Sequence, residues 1–305
     1  MMKIAFGKKK KWKPIHYLCL LLAFIPIVSF FVFNGMPVAL SLVSMFTEMD
    51  NNMIDTMRWN AFENFRLVFA DSRFWLALKN TLILATSQFV SLLVALLIAV
   101  LLNQKVKGAT LFQVIFFIPY VCSTVAISIM WQWIFSTDLG ILNDILGKSI
   151  NWLNDYDESY RLTIAVYITI VWSAPAYGIV MFNAALKGID PSLYEAAEID
   201  GANGFAKFWY ITLPSLKSVT LFLILAGINH GLAIFDQVVI LAPIAWTGVA
   251  GPNDAGLTIG YYIYIEGVGS GNMEYAAVMS WFLFIVTFAL TYPIIRARNR
   301  ASKEE

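Results

Sequence analysis

Few side chains in this sequence are equipped for chemistry, and they gather in three places. The stretch "YEAAEIDGANGFAKFWYITLP", Tyr194 to Pro214, sets Glu195, Glu198 and Asp200 among small residues. On a helix Glu195 and Glu198, three apart, share a face, and Ala196 and Ala197 leave the helix thin enough to enter a groove. The second group is Asn229, His230, Asp236 and Gln237, set in an otherwise apolar run. Polar groups there either line a pathway, where they hydrogen-bond hydroxyls, or tie helices together. The third is "VWSAPAYG", in which Trp172 and Tyr177 flank Pro175. Such aromatics stack on the apolar face of a polyhydroxylated ring, or serve as core and interfacial anchors; the same alternatives cover Trp131 and Trp133. "GKS" at Gly147 to Ser149 is no phosphate loop, because the pattern requires glycine where Leu142 stands. Cys19 and Cys122 both lie in apolar runs, and there are only two histidines, so neither a disulfide nor a His-based metal centre is indicated. No paired acids or activated nucleophile falls inside the apolar runs. The chain therefore reads as one that does no covalent chemistry and holds no nucleotide of its own.

The elements that position these groups follow from composition. The 305 residues are 59% hydrophobic and only 13% charged, about half the charge of a soluble protein. The net charge of +1 offers no field for nucleic acid. Stretches free of Asp, Glu, Lys and Arg are long enough, at ~20 residues per crossing, for six transmembrane helices. They are expected at about 15–46, 76–103, 109–136, 162–186, 215–241 and 274–296. "KKKKWK" precedes an apolar core too long for a signal peptide, so the first span is read as an anchor. With the N-terminus in the cytoplasm, fifteen of the 21 basic residues fall on the inner side, while "NDYDES" makes an outer loop acidic. Both termini are therefore expected inside.

That topology puts Tyr194 to Pro214 in the cytoplasm, in a loop spanning 187–214. Asp190 suits an N-cap, Pro191 the first helical position and Gly201 the residue just past the end. A second helical piece from Asn203 to about Thr212 is expected to place Phe205, Phe208 and Trp209 on one face. A helix–turn–helix lying along the inner membrane surface results. Anionic headgroups disfavour so acidic a start, so a protein partner is favoured over lipid.

At these residues the sequence resembles the membrane-spanning permease subunits of bacterial ATP-driven (ABC) importers. Their cytoplasmic signature, E-A-A-x-x-D-G-A, eight residues, then I-x-L-P, stands here as Glu195, Ala196, Ala197, Asp200, Gly201, Ala202, Ile211, Leu213 and Pro214. "RFWLALKNTLILA" from Arg73 and "GATLFQVIFFIPYV" from Gly108 resemble the family's second and third spans. "FDQVVIL" at Phe235 and "YYIY" at Tyr261 resemble the carbohydrate-importing branch, in the maltose and glycerol-phosphate style. "TGVAGPNDAG" departs from that branch's "GGP", and "NAALKGID" from its usual run before the motif, which bears on the solute rather than the class.

The resemblance implies an all-α, type I importer transmembrane domain over 14–298, between a basic N-terminus (1–13) and a cytoplasmic tail (299–305). It implies that the 187–214 loop is a coupling helix docked in a cleft of an ATPase, with Tyr194 and Glu195 at its head and Glu195 facing a basic residue. It implies a second homologous permease, two ATPase subunits that hold ATP and Mg2+, an extracytoplasmic solute-binding protein, and a bacterial cytoplasmic membrane. Asn229, His230, Gln237, Trp172 and Tyr177 are the candidate pathway residues. The alternatives are the same machine moving a polyol, sugar phosphate or acidic oligosaccharide, and a stand-alone secondary transporter, for which six spans are few.

Overall fold

The structure, a computed structural model, describes residues 14–49, 54–104, 108–242 and 249–304. The basic segment 1–13 and the pair Lys105 and Lys107, on which part of the expected sidedness rests, lie outside the described residues. Among the described residues, five helical stretches are long and apolar enough to cross a membrane: Leu21–Ser44, Ser72–Asn103, Tyr160–Lys187, Lys217–Leu241 and Met273–Arg296. The expected third span is not one helix. It is a pair, α5 (Ala109–Val121) and α6 (Thr124–Ile134), bent by 100°. Pro119 deprives the last turn of α5 of a donor, and Cys122 and Ser123 are extended, with ψ of 147° and 135°. A count of apolar residues cannot register such a break.

The first span comprises α1 (Pro14–Phe30) and α2 (Met36–Ser44), joined by a π-turn. Its C-terminal end leads to a feature that an all-α reading misses. Two short antiparallel strands, β1 (Thr47–Glu48) and β2 (Arg58–Trp59), pair before α3 (Glu63–Ala70). Phe46 stacks on Trp59 at 5.6 Å, and Asn64 donates to the carbonyls of Met45 and Thr47, so local polar demand is met without a helix.

α4 (Ser72–Asn103) is the central column. At 32 residues and 1.5 Å per residue it is about 48 Å long, more than the ~30 Å hydrocarbon core. It packs against α8 (Tyr160–Ser173), α9 (Pro175–Lys187) and α13 (Lys217–Leu232). Lipid tails are as apolar as leucine, so membrane helices associate by close van der Waals contact between small residues. α4 meets that demand with Ala85, Ser87, Ser91, Ala95 and Ala99, facing Gly178 of α9 and Gly227 and Gly231 of α13. A Cβ added at Gly178 would lie 2.8 Å from that of Ala95, and one at Gly231 would lie 3.0 Å from the Ala85 backbone.

Two buried clusters result. One, at the end away from the 187–214 loop and termed the outer cluster, joins Phe74, Leu84, Leu162, Ile170, Val238, Leu257 and Met279. The other, at the loop end and termed the inner cluster, joins Ala95, Ala99, Leu102, Phe182, Leu186, Leu216 and Leu223. A polar clamp closes the outer end. Asp71 caps α4 through the Arg73 N–H at 2.9 Å and accepts from the hydroxyls of Tyr262 and Tyr275. Burial alone would raise its carboxyl, but these three donors together hold it below the usual value. Arg73 grips the buried Asp254 through Nε at 2.8 Å and Nη2 at 3.0 Å, and Asn80 donates to the carbonyls of Asp254 and Leu257. Asn253 and Asp254 hold positive φ, 52° and 56°, a strain that these bonds secure.

Gly231→Val should therefore lower the thermal midpoint of the purified protein, at an overpacking cost of about 1–3 kcal/mol. Gly269→Ala, where an added Cβ meets nothing within 4 Å, should leave it unchanged; equal midpoints for both variants would refute close packing of α4 on α13.

Candidate functional site

Two sites emerge, an exposed loop and a cavity, and the inner cluster lies between them. In the loop, α10 (Pro191–Ile199) begins where Asp190 accepts from the Ser192 N–H at 2.9 Å, with Pro191 in the first turn. That bond, seconded by the Ser192 side chain, holds the Asp190 carboxyl below its usual value. It ends in a Schellman turn. Gly201, at φ 77°, donates to the Glu198 carbonyl at 3.1 Å, and the Ala202 N–H donates to that of Ala197 at 2.8 Å.

Asn203 then caps α11 (Gly204–Lys207) through the Ala206 N–H at 2.9 Å. The helix continues through a π-turn, Phe208–Thr212, into α12 (Leu213–Ser215). Trp209 contacts both Phe205 and Phe208, with ring centroids 6.0 and 5.8 Å away. The Tyr194 hydroxyl bonds Thr212 Oγ1 at 2.9 Å, and Lys207 reaches Glu198 at 3.3 Å, fastening the two arms together. Thr212 and Lys207 were not singled out from sequence; the signal available was a lysine nine residues beyond Glu198 across a glycine turn. With Glu198 largely exposed, that ion pair contributes at most about 1 kcal/mol.

Glu195 is exposed and makes no ion pair among the described residues, and Leu193, Ile199, Phe205 and Tyr210 expose apolar surface elsewhere on the same loop. Of the other motif residues, Ala197, Ala202, Ile211 and Leu213 are half-buried, while Ala196, Asp200 and Pro214 are exposed. Both ends of the loop are anchored. Leu186 precedes it and Leu216 follows it, and both are buried in the inner cluster against α4.

The cavity, about 620 Å³, lies above that cluster. Three irregular places of the spans meet in its wall: Cys122 between α5 and α6, the junction of α8 and α9, where Ala174 stays helical but Pro175 lacks a donor, and Ala233–Phe235 between α13 and α14 (Asp236–Leu241). At the third, the Ile234 carbonyl freed by the break accepts from the Thr258 hydroxyl at 3.0 Å. His230, Gln237 and Tyr177 line the cavity, with Asp236, Gln88, Ser91 and Ser173. Tyr177 stacks on Tyr120 at 5.7 Å.

Asn229 and Trp172 are not in this wall. Asn229 is exposed and donates back to the Leu225 carbonyl at 2.9 Å, and Trp172 packs edge-on against Trp131. One position apart on a helix is about 100° of rotation, so Asn229 and His230 cannot share one narrow face. Gln88, Ser91 and Ser173 escaped sequence reading because a lone polar residue in an apolar run carries no periodic signal.

Over residues 91–300 the chain matches the family described as the binding-protein-dependent transport system inner membrane component. It is 34% identical over 231 residues to the lactose transport system permease protein LacF of Rhizobium radiobacter, covering 73% of this chain and 75% of LacF. It is 31% identical over 230 residues to the sn-glycerol-3-phosphate transport system permease protein UgpA of Yersinia pestis, covering 75% and 76%. In fold it is similar to a chain of a bacterial ABC transporter involved in the import of the acidic polysaccharide alginate, with a TM-score of 0.78 at 22% identity, covering 93% of this chain and 96% of that one.

Asp190→Ala should fray α10, because the Ser192 N–H loses its capping acceptor. Amide hydrogen exchange over 191–199 should quicken severalfold, and Asp190→Asn should restore protection; unchanged exchange in Asp190→Ala would refute the cap. Because the folded carboxyl is depressed, the charged form's share of the cap is complete above the unfolded value. It is lost as pH falls through the folded one.

Proposed function

The chain belongs to the inner-membrane components of binding-protein-dependent transport systems, and from that premise we propose that it is one permease half of an ATP-driven carbohydrate importer in a bacterial cytoplasmic membrane. It sits with both termini in the cytoplasm and pairs with a second, homologous permease across the central cavity. Two separate ATPase subunits bind ATP with Mg2+ and hydrolyse it; this chain supplies the path and the mechanical link. An extracytoplasmic binding protein delivers the solute.

The single observation that carries this reading is the anchoring of the 187–214 loop. A rigid, capped helix with an exposed Glu195 and flanking apolar side chains projects from the membrane part, while Leu186 and Leu216 fix its two ends in the inner cluster. Force applied to α10 by a closing ATPase pair therefore reaches α9 and α13 together, and both contribute to the cavity wall. Packed interfaces shift between discrete arrangements rather than deform continuously, so a pull at the loop tilts those helices as units. Tyr194, Thr212 and the Gly201 turn keep the two arms of the loop from opening like a hinge under load. In the wall, His230, Gln237, Tyr177 and the serines of α4 and α8 offer hydroxyl-binding groups beside aromatic faces, the chemistry that a polyhydroxylated solute requires.

Glu195→Lys should replace attraction by like-charge repulsion at the ATPase cleft, a change of several kcal/mol across an interface. Co-purification of the ATPase with tagged permease should be lost while pairing with the second permease persists. Normal co-purification together with normal transport in vesicles would show that α10 couples nothing. Sidedness is tested separately: a cysteine at Asn203 should react with an impermeant reagent only from the cytoplasmic face, and one at Asp155 only from outside. Reaction at Asn203 in sealed cells would overturn the orientation.

A further inference from the structure

We propose that Asp236 sets the charge class of the solute, making this half of the pathway repel anions and leaving uncharged, polyhydroxylated solutes as its substrates; this rests on the reading of the chain as a carbohydrate permease. The question is open among proteins of this kind, since the chain resembles permeases of lactose and of glycerol-phosphate systems and, in fold, an importer of an acidic polysaccharide.

Among the described residues the cavity wall contains one carboxylate, that of Asp236, and no lysine or arginine. Its remaining polar side chains are neutral amides, hydroxyls and a thiol, together with the His230 imidazole. Asp236 is exposed to the cavity, and its carboxylate makes no hydrogen bond or ion pair among the described residues. It opens α14 beside the break at Phe235, so its backbone is placed by the fold while its side chain is uncommitted.

A polar residue that merely fastens helices is bonded to its neighbour, as Asp71 and Asp254 are at the outer end. Asp236 differs from both. An unneutralised carboxylate in a cavity with low-dielectric walls focuses its field into that cavity and depletes anions there. Towards an uncharged solute the same group is attractive, because an ionised carboxylate accepts two hydroxyl hydrogen bonds, each stronger than a neutral one. Tyr120 and Tyr177, stacked nearby in the same wall, add an apolar platform for the ring face.

Cys122 makes this measurable, since it is exposed and lines the same cavity. In the assembled importer, its peptide is followed by mass spectrometry after reaction with two methanethiosulfonates of matched size, one bearing trimethylammonium and one bearing sulfonate. Normalised to their rates with free cysteine, the cationic reagent should react about tenfold faster, the low end of the bias that a charged cleft produces. Asp236→Asn should bring the ratio close to one, Asp236→Glu should keep it, and Asp236→Lys should invert it. A group that only packs would not move this ratio. A ratio near one in the unaltered protein, or the same bias in Asp236→Asn, overturns the proposal. The importer reading stands or falls separately, on co-purification with the ATPase.

Discussion

Backbone polar groups inside a bilayer have no water to bond, so a transmembrane helix can break only where its freed groups face protein or a water-filled space. This chain leaves the regular helical ladder in three of its spans: at Cys122, at Pro175, which follows a still-helical Ala174 but lacks a donor, and at Ala233–Phe235. All three places fall in the wall of one cavity. Each has a local cause: Pro119 with two extended residues, Pro175, and a non-helical Phe235 at φ −139°. Placed singly against lipid, any of them would cost several kcal/mol per unsatisfied group. Placed together they shape a site, and the Thr258 hydroxyl that satisfies the Ile234 carbonyl shows how the surroundings absorb the cost.

Around that cavity the molecule divides its work. The outer end is fastened by polar bonds. Asp71, Arg73, Asn80 and Asp254 draw α4, α15 (Ile259–Tyr264), α16 (Met273–Glu304) and the 249–258 loop into one block. At the inner end, alanines, glycines and leucines pack closely on α4. Bonds with fixed geometry resist sliding, whereas smooth small-residue contacts permit helices to move as units. The 187–214 loop is rooted in the inner end, through Leu186 and Leu216.

Much of the loop was legible in the sequence because capping is local chemistry. Asp190, Pro191, Gly201 and Asn203 take the places that their side chains and allowed φ values dictate, and the structure has them there. Four helical stretches beyond the first, long and apolar enough to cross a membrane, were equally legible from hydropathy, though not the irregular turns within two of them. The break in the third span was not, because Pro119 sits well inside an uninterrupted apolar run and composition is blind to direction. The small sheet at 47–59 and the Arg73–Asp254 pair were also hidden. The former is two residues per strand, and the latter joins positions 181 apart. In the cavity, residue type pointed to His230, Gln237 and Tyr177, but the helical rotation that excludes Asn229 and the break that brings in Asp236 require coordinates.

The central claim is that the three irregular places enclose a hydrated path rather than a packed core. Single cysteines at Gln88, Ser173 and Gln237, in the wall, and at Ala99 and Phe182, both fully buried in the inner cluster, test it in the membrane-embedded complex with a small neutral thiol reagent. Rapid modification of the first three alongside inert cysteines at the last two is the predicted result. Cysteines at Gln88, Ser173 and Gln237 as unreactive as those at Ala99 and Phe182 would contradict it.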